Sequence, residues 1–283
     1  MNNHEVEKII TEFVRNSPEN TLVEGDREPA WGKPLVGFSL GDDPIFVQFK
    51  DAVGHFHFTP VEIFNLTFPE TPAEPDELTV ISWVLPQTNA TKADNRAQDF
   101  YPADRWVRAR FRGEDFNVLL RKHVVDELTK AGIQSVAPQL SPEWKMEQSP
   151  EYWLASRWSE RHAAHASGLG TFGLCDGLIT PLGKAHRVGS VVARLTLEPT
   201  ERPYDNHRAY CLYFQDESCL VCVKRCPVGA ISEKGHDKPK CWEHAGKTCR
   251  EYVKKKLNFD GYGCGLCQTG VPCESGIPVK GAA

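Results

Sequence analysis

The sequence predicts an α+β protein in two parts, a larger domain of helices and strands over residues 1–205 and a small cysteine-rich domain over residues 206–283. Three observations favour this division. With 283 residues the chain is about twice the usual single-domain size, and 40% hydrophobic with 25% charged residues is a folded composition. Hydrophobic patterns of helix and strand occupy the first part. Nine of the ten cysteines lie from Cys211 to Cys273.

Helices and strands alternate from the start of the chain. Apolar residues from Val6 to Phe13 recur at helical spacing and predict a short amphipathic helix over residues 4–15. Residues 35–58 place Val, Phe and Ile between glycines, which predicts strands joined by turns. The run LTVISWVL at 78–85 is apolar and rich in β-branched residues, and it predicts a buried central strand.

Two further segments carry regular patterns. From Gly113 to Gly132 the apolar positions keep helical spacing, and Gly132 supplies the end of that helix. Residues 168–197 are punctuated by glycines and end in a strand-like run. The GLGTFG segment there fits a dinucleotide-binding fingerprint only in outline, because it lacks a clear βαβ setting. Nicotinamide binding is therefore not the preferred interpretation.

Charge and hydropathy narrow the class of protein. A net charge of -5 argues against a chain built mainly to bind nucleic acid, whose phosphates need clustered Lys and Arg. No run of eighteen apolar residues occurs, and residues 1–10 lack the pattern of a signal peptide. We therefore expect a cytoplasmic protein with no membrane partner, whose closely spaced cysteines hold metal rather than form disulfides.

The first cysteine group, Cys219, Cys222 and Cys226, has two and then three residues between its members, and Pro227 follows at once. This spacing is the second half of the bacterial ferredoxin run C-x2-C-x2-C-x3-C-P, whose thiolates hold iron–sulfur clusters. Three residues before Cys219 the ferredoxin cysteine is replaced by Asp216. One ligand must therefore come from elsewhere or be a carboxylate.

The second cysteine group, Cys264, Cys267 and Cys273, repeats the two-residue gap and lengthens the next gap to five. Two [4Fe–4S] clusters are implied, because close thiolate pairs suit iron. The alternative is a structural zinc site made from the two Cys-x2-Cys pairs. That alternative leaves Cys226 and Cys273 without a role.

Further segments resemble those of epoxyqueuosine reductases and reductive dehalogenases, which are cobalamin-dependent iron–sulfur enzymes. Residues 237–241 read DKPKC and resemble the D-x-x-x-C segment that follows the first cluster run in the reductases. Three more segments are similar to segments of the reductases and occur in the same order. Residues 111–128 resemble their Gly-x-Asp helix start, and residues 160–173 resemble their E-R-x-x-A-x-x-A-G-L-G segment. Residues 177–192 resemble the strand–turn–strand that follows. The likeness covers residues 76–283.

This resemblance implies a fold and two kinds of cofactor. A nitroreductase-like α/β domain would hold base-off cobalamin, and a small two-cluster bacterial ferredoxin-like domain would follow it. One cluster would take Cys226, Cys241, Cys264 and Cys267. The other would take Cys219, Cys222 and Cys273, with Cys249, Cys211 or Asp216 as its fourth ligand. Cys249 is preferred there, because a thiolate is a softer ligand than a carboxylate.

The resemblance also implies cobalamin contacts and catalytic candidates. The expected cobalamin contacts are His162, His165, Gly168, Leu169, Gly170, Gly173, Leu178 and Thr180. Gly170 is expected to meet the flat macrocycle closely, because glycine carries no side chain. The catalytic candidates are Tyr152, Glu160 and Arg161. The alternatives are a surface ion pair on a helix for Glu160 and Arg161, surface histidines, tight glycine turns and a packing tyrosine.

Departures from the family predict a different substrate. Leu154 stands where epoxyqueuosine reductases carry a proton-donating aspartate, and Leu174 replaces their Lys or Arg. The chain ends about ten residues after Cys273, without their tRNA-holding helical repeats. We predict an oxidoreductase that passes low-potential electrons through two clusters to cobalamin, or alternatively a non-catalytic carrier or activator of a corrinoid protein or methyltransferase system. The expected donor is a ferredoxin or flavodoxin. The basic run 254–256 is by default a solvated helix face, and docking of such an acidic carrier is the functional alternative.

Overall fold

A computed structural model describes residues 1–25 and 27–280. The α-helices are α1 Asn3–Asn16, α2 Ile45–Val53, α3 Pro60–Thr67, α4 Asn89–Arg96, α5 Asp104–Lys130, α6 Glu160–Ala166, α7 Leu212–Asp216, α8 Val221–Lys224, α9 Lys238–Trp242 and α10 Cys249–Tyr252. The strands are β1 Leu35–Leu40, β2 Thr79–Pro86, β3 Ser135–Val136, β4 Met146–Ser149, β5 Trp153–Ser156, β6 Thr171–Phe172, β7 Leu178–Ile179, β8 His186–Ala193, β9 Ile231–Ser232 and β10 Gly235–His236. Helix and strand are thus mixed along the chain.

The central sheet has the strand order β1-β2-β8-β3, and every neighbouring pair is antiparallel. Strand β2 pairs on both sides, and nearly its whole length is buried. This confirms the central strand predicted from the apolar run. Ile81 lies opposite Val191 in the register, so the two central strands present matching apolar faces.

Helices cover both faces of this sheet. On one face Ile81 and Val191 belong to a buried cluster with Val6 of α1 and Leu120 of α5. On the other face Val80, Val192 and residues of α2, α3 and α6 form a second buried cluster. Because neighbouring residues of a strand point to opposite faces, the sheet separates two cores.

The sequence predictions of individual elements had mixed outcomes. The helix expected over 4–15 is confirmed as α1, and Asn2 begins it with a capping box. The helix expected from Gly113 is confirmed, although α5 begins earlier, at Asp104. The strand interpretation of 35–58 was wrong beyond Leu40, because Phe46, Phe49 and Val53 follow helical spacing and α2 buries them.

The cysteine-rich part consists of short elements attached to the larger one. Arg225 donates to the carbonyls of Asn95 and Gln98, which lie at the end of α4. Arg96 forms an ion pair with the buried carboxylate of Glu274. The backbone N–H of Lys184 donates to the carbonyl of Cys273 over 2.9 Å. Over the described ranges, we find no helix with both the length and the apolar character to span a bilayer.

Candidate functional site

A large cavity of about 1630 Å³ lies where the cysteine-rich part meets the sheet domain. Its walls come from the β4–β5 hairpin, α6, residues 172–178, the start of β8 and residues 226–245. Pockets for ordinary small ligands occupy roughly 300–1,000 Å³. The cavity is therefore of a size for a large organic cofactor.

Five cysteines among the described residues line this cavity, and one of them is Cys175. The other four are Cys226, Cys241, Cys264 and Cys267. We call them the proximal thiols, and they are the set that the resemblance assigns to one cluster. Each is partly buried, so the sulfurs lie in the wall and not on the outer surface. Four thiols of this kind are the donor set that a [4Fe–4S] cluster requires.

A second, smaller cavity lies behind the first. Its lining includes Cys219, Cys222 and Cys273, which the resemblance assigns to the other cluster, and also Cys211. Within residues 1–25 and 27–280 no three His, Cys, Asp or Glu side chains converge on a single metal ion. The ligands of a cubic cluster bind different iron atoms and stand farther apart than those of one ion.

Cys175 and Lys184 lie between the two cavities. The Lys184 ammonium donates to the Cys175 sulfur over 3.3 Å, and both side chains are buried. Hydrogen bonds from the thiols of Cys222 and Cys267 and the nearby ammonium lower the pKa of Cys175. Burial opposes the charge of Lys184, but the surrounding sulfur atoms raise its pKa well above the ordinary value. A positive charge is thus held between the two groups of thiols.

The wall of the large cavity carries polar atoms that have no protein partner. Among the described residues these are Gln87 Oε1, Arg110 Nε and His186 Nδ1. Buried polar atoms are almost always hydrogen-bonded, and an unsatisfied one costs stability. A bound cofactor with polar side chains would satisfy these atoms.

Glu160 lies in a buried ion network. Its carboxylate accepts from Arg121 Nε over 3.1 Å and from the Ser190 hydroxyl. Arg121 is fully buried and also donates to Glu114 over 3.0 Å. Burial raises the pKa of Glu160, whereas Arg187 and Arg121 lower the pKa of Glu114 despite burial. Glu160 lines the cavity, yet these contacts give it a structural role.

Replacing Arg121 by Met is expected to lower the free energy of unfolding by about 3–5 kcal/mol, because the buried carboxylate of Glu160 would lose its counter-ion and Glu114 would keep only Arg187. Urea denaturation measures this loss. The matched control is Arg250→Met, which breaks the exposed pair with Asp260 and should leave the unfolding midpoint nearly unchanged. Equal midpoints for the two variants would refute a structural role for the network.

Arg161 and Tyr152, the other catalytic candidates, both line the cavity. Arg161 Nη1 donates to the carbonyl of Asp176 over 2.6 Å. The Lys238 ammonium lies 4.1 Å from the centre of the Tyr152 ring, and burial raises the pKa of the Tyr152 phenol. Leu154 lines the same cavity, so the position of the family's aspartate presents an apolar side chain there.

The expected cobalamin contacts separate into two groups. His162, His165, Gly173 and Leu178 line the large cavity. His165 Nδ1 donates to the carbonyl of Gly170 over 2.7 Å, and His162 Nδ1 lies 2.8 Å from the Ser159 hydroxyl. Burial lowers the pKa of both histidines, so the imidazoles are neutral at pH 7.

Gly168, Leu169, Gly170 and Thr180 lie behind the cavity wall. A Cβ at Gly170 would come within 2.2 Å of the Ile179 carbonyl oxygen. A Cβ at Gly168 would come within 2.6 Å of the Glu201 carbonyl oxygen, and Gly168 has φ +77°. These close approaches to protein backbone account for both glycines, so neither requires a flat cofactor.

Sequence reasoning missed Lys184, His186, Gln87 and Arg110. Lys184 and His186 lie in the segment 177–192 that carries part of the family resemblance, so their positions were visible but their roles were not. Gln87 follows β2, and Arg110 lies in α5. Nothing in their local patterns indicates that they face a common cavity, because tertiary packing alone brings them together.

The fold and this site define a mixed helix–strand protein whose cysteine-rich part forms one wall of a cofactor-sized cavity. The chain is similar to epoxyqueuosine reductases. It is 26% identical over 170 residues to the enzyme of Staphylococcus aureus and 25% identical over the same length to that of Bacillus anthracis. Each match covers 58% of this chain and 40% of the relative, so the chain matches less than half the length of these curated relatives. No family model matches the chain.

Solved structures of epoxyqueuosine reductases and of reductive dehalogenases also align with the chain. An epoxyqueuosine reductase of Bacillus subtilis aligns at TM-score 0.49 and 15% identity, over 98% of this chain and 67% of that chain. A catabolic reductive dehalogenase aligns at TM-score 0.49 and 18% identity, over 87% of this chain and 30% of that chain. The names of the curated relatives confirm the resemblance to epoxyqueuosine reductases stated from the sequence motifs.

Proposed function

We propose that the protein is an iron–sulfur oxidoreductase that carries low-potential electrons through two [4Fe–4S] clusters to a cobalamin in the large cavity. The observation that carries this proposal is that the four proximal thiols and the unsatisfied polar atoms face one cavity of about 1630 Å³. A cluster on those thiols would lie directly beside the cofactor. The similarity to enzymes named as reductases supports the reaction class.

The proposal assigns one cofactor type to each part of the chain. Residues 1–205 would form a nitroreductase-like domain that holds cobalamin, and residues 206–283 a ferredoxin-like domain that holds the clusters. The contacts of Arg225, Glu274 and Cys273 with the larger part support a fixed distance between the cofactors. A fixed distance favours electron transfer without domain motion.

The polar wall fits the amide side chains of a corrinoid. When bound, cobalamin supplies a cobalt ion that changes oxidation state. Arg110 Nε can donate a hydrogen bond to an amide oxygen, and Gln87 Oε1 can accept one from an amide nitrogen. His186 Nε2 donates to the Leu178 carbonyl over 2.8 Å, and burial lowers the pKa of His186 to about 4. Its neutral Nδ1 can therefore accept a hydrogen bond at pH 7.

Leu154 in the cavity wall favours a second candidate function. A leucine cannot donate a proton to a substrate, so the chain could transfer electrons without converting a small molecule. In that case it would be a carrier or reductive activator of a corrinoid protein. The phenol of Tyr152 is the nearby group that would supply a proton if the protein is an enzyme with a substrate other than epoxyqueuosine.

We propose a ferredoxin or flavodoxin as the electron donor. Lys254, Lys255 and Lys256 are exposed on the turn over Val253–Leu257, where an acidic carrier could approach. This turn follows α10, whose Cys249 lies beside the proximal thiol Cys264. A carrier docked there would stand near the proximal thiols.

Anaerobic cobalamin binding tests the proposal. The cluster-loaded wild type is expected to retain cobalt in stoichiometric amount after desalting and to show the absorption band of the base-off cofactor. Ala155→Trp should prevent retention, because Ala155 lines the cavity and a tryptophan would fill part of it. Cobalt content and the visible spectrum are the measurements.

The matched control is Ala93→Trp, on the exposed side of α4 and outside the cavity lining. It should bind cobalamin as the wild type does. A wild type that holds both clusters yet retains no cobalt would eliminate the cobalamin enzyme and leave the electron-carrier function.

A further inference from the structure

The second group of cysteines lacks one ligand in the ferredoxin pattern. Cys219, Cys222 and Cys273 line the smaller cavity, and we call them the distal thiols. A [4Fe–4S] cluster needs four ligands. Cys175 contacts Cys222 but is not in the described lining of the smaller cavity. The residue at the ferredoxin position is Asp216, and Cys211 and Cys249 are the remaining cysteines of residues 206–283. The structure distinguishes these three by their surroundings.

The carboxylate of Asp216 already contacts Lys280 and Ser218. Its carboxylate pairs with Lys280 Nζ over 2.6 Å and accepts from the backbone N–H of Ser218 over 3.2 Å. These bonds lower the pKa of Asp216 to about 2. Among the described residues that line the smaller cavity, Asp216 does not occur. These contacts of Asp216 therefore stabilise the loop at the end of α7.

Cys249 lies on the other side of the cysteine-rich part. It is fully buried in α10, and its sulfur is 3.5 Å from His244 Nε2. Its neighbour among the thiols is Cys264, whose pKa it raises. Cys264 belongs to the proximal thiols, and the described lining of the smaller cavity does not include Cys249. A cluster on the distal thiols would not reach it without rearrangement of α10.

Cys211 lies in the lining of the smaller cavity itself. It is buried in one hydrophobic cluster with Cys222 and Cys273. Its backbone N–H donates to the Arg208 carbonyl over 3.0 Å, immediately before α7 begins. The preceding residue, Tyr210, donates from its backbone N–H to the Thr171 hydroxyl over 2.9 Å.

We propose that Cys211 is the fourth ligand of the distal cluster and replaces the ferredoxin cysteine that is absent at Asp216. The inference rests on the proposed function, since it assumes that clusters are bound. Cys211 directly precedes the single turn of α7, and Asp216 is the last residue of that turn. The thiol would therefore come from the start of the turn instead of its end. The one hydrogen bond from Tyr210 to Thr171 holds the neighbouring Cys211 close to Gly173 and Leu174, which border both cavities.

Three variants distinguish the candidates: Cys211→Ser, Cys249→Ser and Asp216→Ala. Each is reconstituted anaerobically, and its iron, sulfide and electron paramagnetic resonance spectrum after reduction are measured beside the wild type. We expect Cys211→Ser to lose the distal cluster signal and to keep the proximal one, whose presence shows an intact fold. The other two variants should keep both signals. Retention of both clusters in Cys211→Ser, or loss of the distal cluster in Cys249→Ser, would overturn the assignment.

Labelling of the wild type supplies a second measurement that does not depend on a variant's folding. Cys211 should react slowly with iodoacetamide in the cluster-loaded protein and faster after the iron is removed by a chelator and oxidant. Equal labelling in both states would overturn the proposal. A wild type that binds no iron at all fails the proposed function itself, and that result is visible before any variant is made.

Discussion

Cys226→Ser and Cys267→Ser are each expected to remove the same [4Fe–4S] cluster and to lower the iron content from about eight to about four atoms per chain. Both cysteines line the large cavity and belong to the proximal thiols. Serine is a poorer ligand for iron than a thiolate, so one substitution suffices to release the cluster. Iron and sulfide analysis with low-temperature electron paramagnetic resonance measures the loss.

Cys219→Ser is the matched variant, because Cys219 is one of the distal thiols. Cys219→Ser should remove the electron paramagnetic resonance signal of the distal cluster. It should keep the signal of the proximal cluster, which Cys226→Ser and Cys267→Ser abolish. If the latter two variants removed different signals, the pairing of the proximal thiols would be wrong. Zinc near stoichiometry in the wild type, with little iron, would overturn the cluster assignment altogether.

Lys184→Met is expected to shift the reduction potentials of the clusters to more negative values by on the order of 60 mV, a tenfold change in the one-electron equilibrium. The buried ammonium lies against Cys175, and its charge acts on Cys222, Cys267 and Cys273. Removing a positive charge between the thiols disfavours the more negative, reduced clusters. Redox titration followed by electron paramagnetic resonance measures the potentials.

Lys92→Met is the control for this charge effect. Lys92 is also buried, but its ammonium donates to the Ser275 hydroxyl over 2.9 Å and its charge acts mainly with Glu274 and Arg96. The potentials of the Lys92→Met protein should stay close to those of the wild type. Equal shifts in both lysine variants would show that the change reflects loosened packing and not the charge beside the thiols.

Local patterns predicted the elements that carry their own hydrophobic period. The strand β2 and the helix α1 each bury a regular set of side chains, and both follow from the sequence. Residues 45–53 were misread, because a short apolar helix and a buried strand have similar composition. The antiparallel order of the sheet could not be predicted, since it depends on pairs such as Ile81 and Val191 that are distant in sequence.

The spacing of the cysteines predicted thiolates as the ligands of the site but did not identify every ligand. The Cys-x2-Cys pairs indicate thiolate clusters from their spacing alone. The preference for Cys249 as the missing ligand followed from chemical softness, whereas the surroundings of Cys211 are a product of tertiary packing. Glu160 similarly looked catalytic in the motif, and only the fold places the fully buried Arg121 beside it. Gly170 was expected to contact a cofactor, because the sequence does not show that the backbone of Ile179 lies against it.

The contacts of the cysteine-rich part with α4 and Lys184 bear on the order in which the parts of the protein form during synthesis. Chains fold from the amino-terminal end while they are synthesised. The surfaces that receive Arg225, Glu274 and Cys273 belong to residues that leave the ribosome before the first of the paired cysteines. The residues that hold the cysteine-rich part in place are therefore made first, and Cys273 is the last of the distal thiols to be synthesised. A cluster proposed on these thiols can be completed only after that residue has emerged.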